Sequence, residues 1–390
     1  MRVLSVVGAR PDFMKLAPVD RELVKRGVEH VIVHTGQHYD HGMSSALFEE
    51  LWIPAPDYHL RVGSGSHAQQ VAAIMLRLEP IILELAPDLV LVYGSANSAF
   101  AAALVAAKLQ VRLGHVEAGL RSGAERVAEE INDVVIDRLS DVLFLPSRDA
   151  ADHLAAEGIG ADRMYFVGNV MIDTLCWALP QALRLEAAAR HGIQGAPYAV
   201  VTLHQPASVD DARMLGALLD TTARLAHSVG GVLFPVHPRT RQRMRAHGLR
   251  LPDDARLHLL EPLGYVEMLS LVAGAAIVVT DSGGLQEETS YLGVPCLTVS
   301  THTRRPITCT NGTNRLVPPR REAILAAAER ALARRSPARP VLERWDGRAA
   351  ERIAAVVCGD GEGELEAGGP LATARAPRRA VAIPQPVEAS

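Results

Sequence analysis

Short runs of Val, Ile and Leu alternate along most of the chain with longer segments whose apolar residues recur at the helical period. A first series of predicted strands covers residues 3–7, 30–34, 89–93, 112–116, 142–145 and 165–167. A second series covers residues 198–202, 231–235, 257–260, 277–280 and 296–299. Strands that alternate with helices predict parallel sheets whose strands are joined by right-handed crossovers.

Two series of strands predict two domains. At 390 residues the chain is too long for one ordinary hydrophobic core. We expect an α/β fold with two Rossmann-like, doubly wound domains, residues 1–170 and 171–344, and a ligand cleft at the carboxyl ends of their strands. Residues 345–358 predict a helix that crosses back to the first domain. Residues 359–390 are rich in Gly, Ala, Pro and Arg and predict a disordered tail.

Composition argues against several classes of function. Aromatic residues make up 4% of the chain, too few for a platform that stacks nucleic-acid bases, and the net charge of −4 predicts no polyanion-binding surface. No apolar run reaches the ~20 residues that span a membrane, and residues 1–8 show no signal-peptide pattern. The cysteines lack metal-ligand spacing and are typical of reduced thiols: Cys176, Cys296, Cys309 and Cys358. We therefore expect a cytoplasmic protein without a metal site, a nucleic-acid partner or a membrane partner.

Residues 280–288 (TDSGGLQEE) follow an apolar run and open a helical pattern. A strand, a small-residue turn and a helix N-terminus together favour anion binding, because backbone N–H groups and the helix dipole face the ligand. Gly283 and Gly284 leave no Cβ in the way. A carboxylate one turn into the helix, Glu287 or Glu288, suits ribose hydroxyls, so the segment indicates a nucleotide diphosphate. A tight turn without a ligand is the alternative.

The first turn of the chain, residues 8–18 (GARPDFMKLAP), places Arg10 and Lys15 at the start of a predicted helix. Two cations at that place suit a phosphate or pyrophosphate. A capped helix with solvated basic residues is the alternative.

Two carboxylates are candidates for proton transfer. Glu117 directly follows a buried strand, where a carboxylate is costly unless it is paired or functional. Glu129 opens another predicted helix, and separated carboxylates on two walls of a cleft suit acid/base chemistry. The alternative for Glu129 is an acidic residue favoured in a first helical turn.

Two histidines follow neighbouring strands of the second series. His204 and His237 each stand at a strand end, where a histidine can donate to a leaving phosphate. A single histidine there is more often structural, and two that face one cleft favour function.

Together these segments resemble the non-hydrolysing UDP-N-acetylglucosamine 2-epimerases over roughly residues 2–357. The resemblance rests on ordered motifs: 8–11 (GARP), 35–38 (TGQH), 115–121 (HVEAGLR), 129–132 (EEIN), 202–204 (TLH), 281–288 (DSGGLQEE), 303–306 (TRRP) and 312–315 (GTNR).

The resemblance implies a GT-B type fold, a homodimer, and inversion of the sugar at C2 without a cofactor. In that reaction the C2 proton and UDP leave, a 2-acetamidoglucal forms, and UDP adds back after reprotonation on the other face. UDP-N-acetylglucosamine becomes UDP-N-acetylmannosamine, and the second domain is the UDP-binding one. By motif, Glu117 and Glu129 belong to the acid/base set. The implied binding residues are Arg10 and His204 for phosphates, Ser282, Gly283 and Gly284 for the diphosphate, Glu288 for ribose, Arg305 for nucleotide or sugar, and Gln37 and His38 for an activator region.

Four residues depart from the family pattern. Ser95 stands where the family has a catalytic aspartate, and a neutral hydroxyl is no anionic base without an activating partner. Asp133 replaces arginine, Gln205 replaces arginine and Arg304 replaces glutamate. If Asp133 and Arg304 are neighbours, their charges compensate. Two other readings stay open, a hydrolase that releases UDP and free N-acetylmannosamine and a UDP-sugar-binding homologue with impaired catalysis. The fold alone is also compatible with a glycosyltransferase.

Overall fold

The computed structural model describes residues 1–37, 47–122, 128–251, 253–333 and 339–360. A seven-stranded parallel sheet has the order β3-β2-β1-β4-β5-β6-β7, and a six-stranded parallel sheet has the order β10-β9-β8-β11-β12-β13. The first sheet contains β1 Arg2–Val7, β2 Glu29–His34, β3 Tyr58–His59, β4 Leu89–Tyr93, β5 Arg112–Val116, β6 Val142–Leu145 and β7 Met164–Phe166. The second contains β8 Ala199–Thr202, β9 Val232–Pro235, β10 Leu257–Leu260, β11 Ile277–Thr280, β12 Cys296–Val299 and β13 Asn314–Val317. The predicted pair of Rossmann-like, doubly wound sheets is confirmed.

Helices cover both faces of these sheets. They are α1 Arg10–Lys25, α2 His67–Leu85, α3 Asn97–Lys108, α4 Ala128–Leu139, α5 Arg148–Ala156, α6 Val170–Leu185, α7 Ala187–Arg190, α8 Pro206–Val209, α9 Ala212–Val229, α10 Pro238–Ala246, α11 Tyr265–Ala273, α12 Gly283–Leu292, α13 Pro306–Thr310, α14 Arg321–Ala333 and α15 Ala349–Cys358. Most strand positions are buried, as is typical of a sheet with helices on both faces.

The hydrophobic pattern missed two strands. β3 is two residues long and therefore carries no periodic signal. β13 reads Asn-Arg-Leu-Val, and the exposed Arg315 interrupts the apolar run by which a buried strand is recognised. Both lie at a sheet edge, where fewer positions are buried.

The strand order places the predicted site residues at two switch points. In the first sheet the order reverses between β1 and β4, and in the second between β8 and β11. Ligands of open α/β sheets bind in the crevice beyond the carboxyl ends of such strands. Arg10 follows β1, Ser95 follows β4, His204 follows β8 and Ser282 follows β11. The topology thus gathers segments that are distant in sequence.

The final described helix, α15, packs against α1 and α6. Asp173 of α6 accepts hydrogen bonds from the N–H groups of Ala349 (3.1 Å) and Ala350 (2.6 Å), which caps the first turn of α15. The domain boundaries at residues 170 and 344 stay predictions, and residues 361–390 of the predicted tail lie outside the described residues. Across the described ranges, every helix is too short or too polar to cross a membrane. All four cysteines are free thiols.

Candidate active site

Glu117 is the most constrained carboxylate in the cleft. It directly follows β5 and has a φ of 74°, a left-handed conformation that is uncommon for a residue with a Cβ. Its side chain forms an ion pair with Lys15 of α1 and accepts a 2.9 Å hydrogen bond from Nη2 of Arg305. Burial by itself raises the pKa of Glu117, but Lys15 and Arg305 outweigh burial and lower that pKa to about 2. The buried carboxylate therefore has the ionic partners that it requires. Lys15 follows a strand of the first sheet, and Arg305 follows a strand of the second.

The turn after β4 lies against this ion pair. Gly94 has a φ of 60°, and a Cβ there would be 2.8 Å from Nζ of Lys15 and 3.2 Å from Oε2 of Glu117. Only a residue without a side chain lets the backbone approach the pair so closely. Ser95 is the residue that directly follows this close approach.

Arg305 joins the two walls of the cleft. Its Nε atom lies 2.6 Å from Oε1 of Glu287, while its Nη2 atom donates to Glu117. A Cβ built on Gly283 would be 2.7 Å from Nη1 of Arg305, so the guanidinium lies on the first turn of α12. A cation at this helix N-terminus adds positive charge to the unpaired N–H groups of the turn.

The two adjacent glutamates of α12 have different surroundings. Glu287 faces Arg305, whereas Glu288 lies near Tyr265 and in the field of Arg10. Burial raises the pKa of Glu288 to about 7, with a further contribution from the charge of Glu287. The two side chains therefore have different surroundings. Glu288 lies outside the ion-pair network around Glu117 and can serve a ligand.

The rings of His204 and His237, which follow neighbouring strands of the second sheet, lie side by side. The ring centroids of His204 and His237 are 5.3 Å apart. Nδ1 of His204 lies 2.8 Å from Oδ1 of Asp281, and Oδ2 of Asp281 also accepts from the N–H of Gln205. Burial, together with nearby His204 and Arg10, lowers the pKa of His237 to about 4, so this ring is neutral near pH 7. Asp281 thus orients the loop that carries His204.

Arg10 lies at the start of α1 and reaches toward the second sheet. Its Nη2 atom is 3.5 Å from the carbonyl oxygen of Leu263, and burial lowers the pKa of its guanidinium. The side chain is thus a half-buried cation between the two sheets, close to Glu288 and His237.

Ser95 contacts the opposite wall of the cleft. Its Oγ atom accepts a 2.9 Å hydrogen bond from Nη1 of Arg304, and Nη2 of Arg304 pairs with Asp133 of α4. Asp133 is fully buried, and burial raises its pKa to about 7 although Arg304 lowers it. The two substituted charges are therefore direct partners, as the compensation hypothesis requires.

Among the described residues, two predicted site residues, Glu129 and Gln37, have no contact with this centre. Glu129 is exposed at the start of α4. The side-chain oxygen of Gln37 accepts from the N–H (3.1 Å) and hydroxyl (2.7 Å) of Ser98, so it supports the start of α3. His38 lies outside the described residues. The roles of all three stay predictions.

Sequence reasoning left four residues out of the site that the structure places in it. Asp133 and Arg304 were noted as charge changes that compensate if the two are neighbours, but neither was assigned to the site, because their pairing is a tertiary contact. Asp281 directly follows a buried strand, the same signal that pointed to Glu117. Tyr265, a neighbour of Glu288, gave no signal in the sequence.

Comparison with known proteins agrees with this geometry. A family model for UDP-N-acetylglucosamine 2-epimerase matches residues 21–358. The chain belongs to this family. It is 37% identical to the UDP-N-acetylglucosamine 2-epimerase of Methanocaldococcus jannaschii, over 84% of this chain and 92% of that protein. It is 38% identical to the UDP-2,3-diacetamido-2,3-dideoxy-D-glucuronate 2-epimerase of Pseudomonas aeruginosa, over 85% of this chain and 92% of that protein.

Among solved structures, a crystal structure of the Methanocaldococcus jannaschii enzyme in complex with UDP-GlcNAc and UDP superposes with a TM-score of 0.86. The sequence identity in this comparison is 35%, and the match covers 92% of this chain and 99% of that one. The chain is therefore a nucleotide-sugar epimerase by family, with a family fold over nearly its whole described length.

Proposed function

We propose that the protein inverts C2 of UDP-N-acetylglucosamine, or of a close UDP-2-acetamido sugar, by eliminating UDP and adding it back. The observation that carries the proposal is the Glu117 carboxylate, which is buried in the cleft and paired with Lys15 and Arg305 beside the N-terminus of α12. A carboxylate held ionised suits removal of a proton, and the cations and helix N-terminus suit a departing diphosphate.

The reaction needs no net change in oxidation state. A base takes the C2 proton, the C1–O bond breaks, and its electron pair leaves with UDP while a C1=C2 double bond forms. UDP then attacks C1, and a proton returns to the other face of C2. In this mechanism Glu117 and Glu129 belong to the acid/base set. Ser282, Gly283, Gly284, Arg10 and His204 would bind the diphosphate, and Glu288 the ribose.

The reaction is tested by proton NMR of the purified protein with UDP-GlcNAc in deuterated water. Deuterium at C2 together with growth of UDP-ManNAc supports the proposal. Free N-acetylmannosamine with UDP would indicate a hydrolysing 2-epimerase instead. Absence of exchange with UDP-GlcNAc, followed by exchange with UDP-2,3-diacetamido-2,3-dideoxy-D-glucuronate, would assign the same chemistry to another sugar. Nucleotide binding without exchange of either would indicate a homologue with impaired catalysis.

We also propose that the protein acts as a homodimer. Leu76 (74% exposed) and Leu83 (50%) lie seven residues apart on one face of α2. Ile131 (57%) and Val134 (40%) are exposed on α4, and both helices pack against α3. Several large apolar side chains exposed on neighbouring helices favour burial against a second copy.

A further inference from the structure

Three side chains hold the turn that follows β4. The carbonyl oxygen of Gly94 accepts a 3.0 Å hydrogen bond from Nε2 of His115, and that of Ser95 accepts a 2.9 Å bond from Nδ2 of Asn132. The Ser95 hydroxyl contacts Nη1 of Arg304 at 2.9 Å. His115 and Asn132 belong to the same half of the chain as Ser95, whereas Arg304 lies across the cleft. Position and direction of the hydroxyl are therefore set by different parts of the fold.

The contact with Arg304 decides which way the Ser95 hydroxyl points. A guanidinium only donates hydrogen bonds, so Oγ of Ser95 accepts and its own hydrogen is directed elsewhere. Within the described ranges of the chain, that hydrogen is not donated to any protein acceptor. Ser95 is 7% exposed, and the preceding residue, Gly94, touches the Lys15–Glu117 pair. The unused donor thus belongs to the residue that directly follows this close approach to the proposed proton-transfer group.

Arg304 is itself held in place by Asp133. The carboxylate side chain is 1% exposed and the arginine side chain 21% exposed, so the pair is shielded from solvent. A buried, hydrogen-bonded ion pair restricts the guanidinium to one orientation more firmly than an exposed pair does. Asp133 therefore acts on Ser95 through Arg304.

We propose that Ser95 donates a hydrogen bond to the 2-acetamido carbonyl oxygen of the sugar and that Arg304, held by Asp133, is the residue that positions it. This inference rests on the proposed function, because Glu117 must lie near C2 for the acetamido group to lie near Ser95. An aspartate carboxylate cannot donate to a carbonyl oxygen, whereas a serine hydroxyl can. Ser95 is then a residue for recognition of an uncharged sugar substituent, and the acid/base work falls on other groups.

The test compares the affinities of UDP and UDP-GlcNAc by calorimetry, together with kcat and KM for C2 exchange. We expect Ser95→Ala to weaken UDP-GlcNAc binding about three- to tenfold, the range for one lost neutral hydrogen bond, and to leave UDP binding unchanged. Ser95→Asp is expected to weaken UDP-GlcNAc binding further and to lower turnover. Ser228→Ala is the matched control, since Ser228 is an exposed residue of α9 whose hydroxyl donates to a backbone carbonyl.

Arg304 is tested through its effect on Ser95. Arg304→Met should reduce the UDP-GlcNAc to UDP affinity ratio when Ser95 is present and have no further effect in the Ser95→Ala background. Arg304→Lys should restore part of the ratio. Because Arg304→Met leaves Asp133 buried without its partner, the double variant D133N/R304M provides a form without an unpaired charge.

Two results would overturn the inference while the proposed function stands: an unchanged affinity ratio in Ser95→Ala, or higher turnover in Ser95→Asp. The second would mean that position 95 works best as a carboxylate. A wild-type protein that neither binds UDP-GlcNAc nor exchanges its C2 proton would instead overturn the proposed function, and this inference with it.

Discussion

Glu117 and Arg305 form a 2.9 Å ion pair across the cleft, although 188 residues separate them in the sequence. Arg305 also lies 2.6 Å from Glu287, so the guanidinium connects the carboxylate after β5 to the helix that follows β11. A ligand whose diphosphate attracts Arg305 would compete with Glu117 for it. Loss of that partner would raise the basicity of Glu117 at the moment when a proton must be taken up.

Glu117→Gln is expected to abolish C2 exchange and to leave the affinity for UDP within a few-fold. The change removes the base without altering the turn of Ser282, Gly283 and Gly284. It also leaves Lys15 buried without its partner, so we expect the free energy of unfolding to fall by about 3 kcal/mol or more. Deuterium incorporation and thermal unfolding measure the two effects.

A double variant separates these effects. K15M/E117Q removes the unpaired charge of Lys15 and should recover most of the lost stability, because Arg305 keeps its ion pair with Glu287. It should not recover C2 exchange. Exchange at the wild-type rate in Glu117→Gln would remove Glu117 from the acid/base set.

Glu288 is expected to make stability depend on pH. Burial raises its pKa from 4.5 to about 7, so the folded chain binds this proton more tightly than the unfolded chain. Its contribution to stability is complete below pH 4.5 and is lost as the pH rises toward about 7. Urea unfolding of Glu288→Gln should show a shallower fall over this window, by at most about 3 kcal/mol. Glu322→Gln, at an exposed glutamate, should keep the wild-type slope.

The same carboxyl should give the opposite trend in binding. Ribose hydroxyls donate to the ionised form of Glu288, so UDP affinity should increase as the pH rises from about 6 to about 8, through the carboxyl's pKa of about 7. The phosphates of UDP titrate as well, but their contribution is common to wild type and Glu288→Gln. Identical pH profiles for the two proteins would contradict the assignment of Glu288 to ribose.

His204→Ala is expected to reduce UDP affinity by about tenfold or more, the range for a lost hydrogen bond to a charged group. Its ring is oriented by Asp281 at 2.8 Å and lies beside His237 at the strand ends where the diphosphate is proposed to bind. Calorimetry with UDP measures the change, and the exposed His247→Ala is the control. If uridine binding falls by the same factor as UDP binding, His204 does not act on the phosphates.

The exposed face of α2 gives a prediction about assembly. L76E/L83E should convert a dimer into a monomer, because two charges about two turns apart on one helix face cannot be buried in a shared interface. Light scattering after size-exclusion chromatography measures the mass. Val341→Glu changes an apolar side chain that is 94% exposed on another part of the surface and should leave the mass unchanged. A wild-type monomer at all concentrations would refute the dimer itself.

The fold class and the place of the turn proposed to bind an anion could both be predicted from the sequence. Both depend on local information: buried strands are runs of apolar residues, and a turn before a helix is marked by Ser282-Gly283-Gly284. The position of Glu117 directly after such a run was likewise sufficient to predict that its charge is paired or functional.

The pairing of particular residues is visible only in the folded chain. Asp133 and Arg304 are 171 residues apart, and nothing local distinguishes an ion pair from two separate solvated charges. The same holds for Glu287 and Glu288, since adjacent positions of a helix point to different faces and the packing of the other domain decides what each one meets. Long-range contacts depend on how two sheets are oriented around the cleft, and local hydrophobic periodicity carries no information about that orientation.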